Sequence, residues 1–258
     1  MKTKKVLAIA AHPDDIELMM AGTLFLLKEQ GCELHYLNIA NGSCGSELKS
    51  KEEIVKIREE EAKNAASFLN AKHYKSITDD FGILYSENLV KKVAAVVRKC
   101  NPDILLVPSL DDYMEDHIMS ARIAVTAAFV RNMPNYPTDP PLKPISNDIA
   151  IYHALPYGLR DETRRKVFPE YYVNIETVMD KKTEMLAMHK SQKEWLDKSQ
   201  GIDSYLRMMQ DMSRQIGKDS KQFQYAEGWH RHSHLGFASE DFDPLLRILN
   251  KFIQSQLS

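Results

Sequence analysis

Through its first half the chain alternates short, wholly apolar runs with longer amphipathic stretches. Val6-Leu7-Ala8-Ile9-Ala10 and Ile104-Leu105-Leu106-Val107 read as buried strands, since a parallel strand covered on both faces shows no polar alternation. Further strands are expected at 34–40, 73–77 and 149–152, and the first strand over 5–11. Helical spacing predicts helices over about 16–30, 51–69, 89–100 and 116–131. Leu18, Met19, Gly22, Phe25 and Leu26 share a stripe on the first, which Gly31 ends as a C′ residue. Ile54, Ile57, Ala62, Ala65 and Phe68 mark the inner face of the second. Strands separated by helices of this length imply right-handed crossovers. The expected fold is α/β: a Rossmann-like, doubly wound, mostly parallel sheet flanked by helices. Downstream, helices are expected over 181–192, 206–216 and, as a terminal amphipathic helix, Phe242 to Gln256.

Residues 132–148 break the pattern. Pro134, Pro137, Pro140, Pro141 and Pro144 fall within 11 positions, so the segment reads as an extended surface loop. A functional lid and a disordered stretch are both compatible with it. A domain linker is the alternative, but the strand-like Ile149-Ala150-Ile151-Tyr152 that follows favours return to one sheet, hence a single domain over 1–258.

Composition narrows the function. A net charge of −2 argues against a nucleic-acid partner, and 43% apolar with 27% charged residues is ordinary for a globular chain. Cys32, Cys44 and Cys100 are odd in number and widely spaced, which fits reduced thiols and a cytoplasmic location. The charged start Met1 to Lys5 is followed by too short an apolar run for a signal peptide, and no stretch is long enough for a membrane span.

The chemistry concentrates at strand ends. Directly after the first strand come Ala11-His12-Pro13-Asp14-Asp15-Ile16-Glu17, and ligands of open α/β sheets bind beyond the carboxyl ends of such strands. His12 and Asp15 suit a divalent metal, and Asp14 between them can act as a base on water. The plainer reading makes Asp15 a helix cap and leaves His12 and Asp14 solvated. After Val107, on the same sheet edge, the loop carries Asp111, Asp112, Glu115, Asp116 and His117. His117 is the candidate third ligand, or else a half-exposed histidine in a first helical turn. Asp116 could hold a ligand imidazole or simply favour the helix dipole. Arg58 could reach substrate or sit in a surface salt bridge. His230, His232 and His234 alternate in an extended segment and could supply a proton donor, an amide-oxygen donor or a second metal site; a surface cluster is the alternative. His153 is a weaker pocket candidate, and His35, His73 and His189 read as structural.

The first motif, the later Asp116-His117 pair and Tyr225-Ala226-Glu227-Gly228-Trp229 together resemble the LmbE-like, or PIG-L, zinc N-deacetylases. Lys182 with His189 to Gln192, and Arg58 to Ala62, add to the likeness, which runs from about 4 to 240. The resemblance implies one Zn2+ per chain on His12, Asp15 and His117, with another divalent metal left open, and Asp14 as general base. It implies removal of an N-acetyl group from a small N-acetylglucosaminyl substrate, releasing acetate and free amine. From the residues themselves, His230 and His232 are the candidates to assist the reaction, and Arg58, Asp116 and His234 the candidates to lie near substrate. Homo-oligomers occur in the family. One departure stands out: Met114 replaces a histidine of the family's second motif, and a thioether can neither donate nor accept a proton at neutral pH. A metal-dependent phosphoesterase, and a carbohydrate-binding protein of this fold with little turnover, are the competing readings.

Overall fold

The computed structural model describes residues 3–193 and 204–255. Within them one sheet of eight strands runs in the order β3-β2-β1-β4-β5-β7-β6-β8. The strands are β1 Lys5–Ala10, β2 Glu33–Asn38, β3 Lys72–Tyr74, β4 Ile104–Val107, β5 Ala150–Ala154, β6 Tyr171–Asn174, β7 Ala226–Arg231 and β8 Ile253–Ser255. From β3 to β5 all pairing is parallel. The remaining three strands add antiparallel, so the sheet is mixed beyond β5.

β1 explains its own central place. Val6, Ala8 and Ala10 enter a core shared with Leu24, Ala62, Met185 and Met209, while Leu7 and Ile9 join Val93, Ala94, Ile123 and Ala124 on the other face. Period-two alternation thus becomes two separate cores. The first contains side chains from α2 Ala21–Glu29, α3 Lys51–Phe68, α6 Met179–Leu186 and α7 Ser204–Ser220; the second belongs to α4 Glu87–Cys100 and α5 Glu115–Phe129. Local signals set the helix starts: Ser50 and Glu53 form a capping box for α3, and Ser86 caps α4. Because β1 leads to β2 and β3 on one side and the chain then returns to β4 on the other, the switch point lies between β1 and β4.

Three expectations need correction. The helix expected over 16–30 is broken at Met20 into α1 Asp15–Met19 and α2. The buried Glu227 carboxylate takes the backbone N–H groups of Gly22 and Thr23 at 2.8 and 2.7 Å, displacing the helical bonds those amides would otherwise make. Lys182 pairs with the same carboxylate at 2.6 Å, and the indole of Trp229 donates to Thr23. The motif at 225–229 therefore braces the helix pair that begins in the first motif. Second, the helix expected over 181–192 is interrupted, since helical structure lapses after Leu186 and resumes at 190.

Third, the terminal helix from Phe242 is only α8 Pro244–Ile248, capped by Asp243, after which the chain turns and β8 pairs with β6 (Gln256 lies outside the described residues). The open edge of β6 offers unpaired backbone groups, and pairing them outweighs local helix spacing. The proline-rich segment is anchored against α4. The buried Arg98 guanidinium donates to the carbonyls of Val130, Arg131, Met133, Tyr136 and Leu142 at 2.9–3.2 Å. Among the described residues no helix is long and apolar enough to cross a membrane.

Candidate metal centre and active site

The carboxyl ends of β1 and β4 open into a cavity of about 430 Å³ whose wall includes His12, Asp14, Asp15, Arg58, Met114 and His117. Ligand-type atoms of His12, Asp15 and His117 lie within 4.8 Å of one another. His12 Nδ1 is 3.5 Å from Asp15 Oδ2, and His117 Nε2 is 3.4 Å from Asp15 Oδ1. Tetrahedral bonds of about 2.1 Å put neighbouring ligands about 3.4 Å apart, so these spacings suit one divalent cation. The remote nitrogens are engaged as well. His12 Nε2 meets Asp116 Oδ2 at 3.0 Å, and His117 Nδ1 meets Asp112 Oδ1 at 3.0 Å, both carboxylates being buried. Each imidazole therefore turns its other nitrogen toward Asp15, the second-carboxylate arrangement usual for metal-bound histidines.

The electrostatics follow from crowding. Burial disfavours a charged His12, but hydrogen bonds to Asp116 and Asp15 outweigh it and lift its pKa to about 9. Burial likewise opposes ionisation of Asp15, yet the charge and hydrogen bond of His117, joined by His12, hold it well below the usual carboxylate range. Asp14 moves the other way: burial raises it, with Arg58 opposing. Only a neutral imidazole can ligate a metal, so a cation bound here would take the place of the His12 proton.

Asp14 sits at φ 111°, a left-handed conformation rare for a non-glycine residue. Its Oδ2 accepts a 2.7 Å hydrogen bond from Tyr205, and Arg58 Nη2 lies 3.3 Å from its Oδ1. Arg58 also donates to the Pro13 carbonyl. The guanidinium reaches this place past two glycines. A Cβ on Gly42 would meet Arg58 Cδ at 2.4 Å, and one on Gly45 would meet Nη1 at 2.6 Å; Gly42 also needs φ +76°. His189, fully buried behind the site, lies 3.3 Å from Glu17, which in turn accepts from Tyr36 at 3.0 Å.

The geometry brings together His12, Asp14, Asp15, Arg58, Asp116 and His117. The C-terminal histidines go elsewhere. None of His230, His232 and His234 lines the cavity; His232 Nδ1 lies 3.0 Å from His153 Nε2, and His153 Nδ1 bonds the Pro108 carbonyl at 2.9 Å. His230 stands opposite His153 in the β5–β7 ladder. Burial depresses His153 to a pKa of about 4. The strand's antiparallel pairing to β5 carries these rings past the cavity, so the expected proton donor among them is not delivered. The proline-rich segment contributes no lining residue either, whereas the 42–50 and 155–170 loops contribute Cys44, Gly45 and Tyr157.

Sequence reasoning gave no role to Asp112 or Tyr205. Asp112 stood in the acidic loop five residues before His117, a spacing that could have suggested it. Tyr205 lies 191 residues from Asp14 and carries no local signal.

Known proteins resemble this chain in sequence and in fold. Residues 7–128 match the model of the PIG-L family, described as GlcNAc-PI de-N-acetylase. The chain is 29% identical over 199 residues to diacetylchitobiose deacetylase of Thermococcus kodakarensis, covering 73% of this chain and 70% of that one. It is 26% identical over 187 residues to 4-oxalmesaconate hydratase of Pseudomonas putida, covering 69% and 70%. The structure of N,N'-diacetylchitobiose deacetylase from Pyrococcus horikoshii superposes with a TM-score of 0.76 at 25% identity, over 91% of this chain and 85% of that chain.

Proposed function

Taking as premise that the chain belongs to the PIG-L, LmbE-like family, we propose that it is a zinc-dependent hydrolase that removes the acetyl group from an N-acetylglucosaminyl compound. The observation that carries this reading is the pair of buried carboxylates, Asp112 and Asp116, which turn both imidazoles toward Asp15 beside a further acidic group, Asp14, that is outside the ligand set. His12, Asp15 and His117 would hold the cation, and their nitrogen–oxygen–nitrogen set suits zinc. Zinc bound there supplies acidity to a water and positive charge to the amide oxygen.

The rest is the chain's own work. Asp14 accepts the proton of the attacking water, and its burial-raised affinity for protons suits a base that must later give one up. Tyr205 and Arg58 each engage one of its two oxygens, fixing its direction. The C–N bond breaks and Asp14 returns the proton to the departing amine, leaving acetate and free amino sugar. Met114 lines the cavity where the family has a histidine, and its thioether cannot share this task. Asp14 therefore serves as both base and acid.

The hydratase relative raises a second reaction, but its substrate is by name a carboxylic acid. Asp80 faces the cavity here, and among the described residues Arg58 is the one lining Lys or Arg, already engaged by Asp14. That balance favours an uncharged amide. A phosphoesterase with two metals would draw on a second ligand group; among the described residues His12, Asp15 and His117 form the group that converges. The test is acetate release from N-acetylglucosaminyl compounds by zinc-loaded protein. Wild type should release it, and Asp14→Ala should be slower by about 10²–10⁴-fold. No acetate from any such compound would overturn the proposal.

A further inference from the structure

At the cavity mouth two aromatic walls are hung from the same carboxylates that orient the histidines. On one side Phe81, 66% exposed, holds φ +58° while its backbone N–H donates to Asp116 Oδ2 at 2.7 Å, the oxygen that meets His12. On the other, the N–H of Tyr157 donates to Asp112 Oδ2 at 2.9 Å, the carboxylate that meets His117. Tyr113 completes this wall: 64% exposed, it packs edge-on to the His117 ring at 5.9 Å and against Tyr157 at 5.4 Å. All three rings line the cavity. Exposed aromatic faces grouped beside a polar centre mark a ligand surface, and these are fixed relative to the reacting atoms by two hydrogen bonds.

Resting on the deacetylase reading, we infer that Tyr113, with Phe81 opposite, forms a subsite for the group attached to the amino sugar, and that this group is a neutral ring. The ring's apolar C–H face packs on the exposed Tyr113 ring, burying apolar surface on both sides. Charge sets the preference. The Asp80 carboxylate lines the mouth, held by the amides of Gly42 and Cys44 at 2.7 and 2.8 Å, and Arg58 is spent on Asp14. An aglycone bearing phosphate or carboxylate meets Asp80 there, whereas a second sugar ring meets only the rings and hydrogen-bonding groups.

The experiment measures kcat/KM on three probes: the methyl glycoside of N-acetylglucosamine, diacetylchitobiose and N-acetylglucosaminyl malate. Wild type should prefer diacetylchitobiose to the malate by about tenfold or more. Tyr113→Ala should lower kcat/KM on diacetylchitobiose about tenfold more than on the methyl glycoside, through KM, and Tyr113→Phe should restore it. Equal or greater activity on the malate, or an equal loss on all three probes in Tyr113→Ala, overturns the subsite. Should no probe yield acetate, the deacetylase reading fails instead. Saturation-transfer NMR with diacetylchitobiose then judges the subsite. A second-ring signal that disappears in Tyr113→Ala supports it; a second-ring signal missing in wild type, or unchanged in the variant, refutes it.

Discussion

Replacing Asp116 with asparagine removes one buried charge and leaves the shape of the site in place. A single oxygen, Oδ2, takes both the His12 ring at 3.0 Å and the Phe81 amide at 2.7 Å. The amide oxygen of asparagine can occupy that position and keep both bonds, so what disappears is the charge. A hydrogen bond to a charged partner contributes about 1.5–3 kcal/mol, equivalent to about 10- to 150-fold in an equilibrium constant. Loss of a carboxylate behind a metal-bound histidine typically costs about 10- to 100-fold in metal affinity. Zinc binding by Asp116→Asn should therefore weaken by about one to two orders of magnitude, measured by competition with a chelator of known affinity at pH 7.5. Asp116→Ala should weaken it further and also lower stability by about 1–3 kcal/mol, because the Phe81 amide loses its acceptor. Unchanged zinc affinity in Asp116→Asn would refute the claim that this carboxylate orients and tunes a metal-bound imidazole.

Three other outcomes are expected. His153, buried and held near pKa 4 when folded, takes a proton more readily once unfolded, so it lowers stability as pH falls from about 6.5 toward 4 and has no effect above that window. Between pH 7 and 4.5 its share of the loss is about 2–3 kcal/mol; His153→Asn keeps the donor to Pro108 and should flatten the urea-unfolding profile by that amount, whereas parallel profiles would contradict the assignment. Gly42→Ala places a Cβ 2.4 Å from Arg58 Cδ at a φ of +76°, so stability should drop by about 1–3 kcal/mol and KM should rise; a variant within about 0.5 kcal/mol of wild type would show that Arg58 is not confined there. Arg98→Ala strips the hydrogen-bond donors from the carbonyls it now serves between 130 and 142, and limited proteolysis should shift to the 132–148 segment; an unchanged cleavage map would count against that anchoring.

The parts of this structure that the sequence made legible are those whose cause is local. β1 and β4 announce themselves as apolar runs because both their faces are covered, and a motif at the end of such a strand has only one crevice to enter. His12, Asp14, Asp15 and His117 could be read from that rule with the family likeness beside it. What escaped depends on long-range partners. The break at Met20 is caused by Glu227, which reaches back from β7 to take two helix amides. Tyr205 finds Asp14 across most of the chain, and no spacing predicts that contact. The histidines at 230–234 do alternate along extended chain up to Arg231, but strand alternation states which residues share a face, not what that face meets; antiparallel pairing with β5 gives His232 to His153. The terminal segment has helical spacing and is claimed instead by an open sheet edge.

Elemental analysis of metal per chain, on wild type and on His12→Ala, Asp15→Ala and His117→Ala, reaches the central claim most directly. One zinc per chain in wild type, lost from each variant while the fold persists by circular dichroism, is the expected result. A wild-type chain that takes up no divalent metal, or a His117→Ala chain that retains its zinc at full affinity, would contradict it.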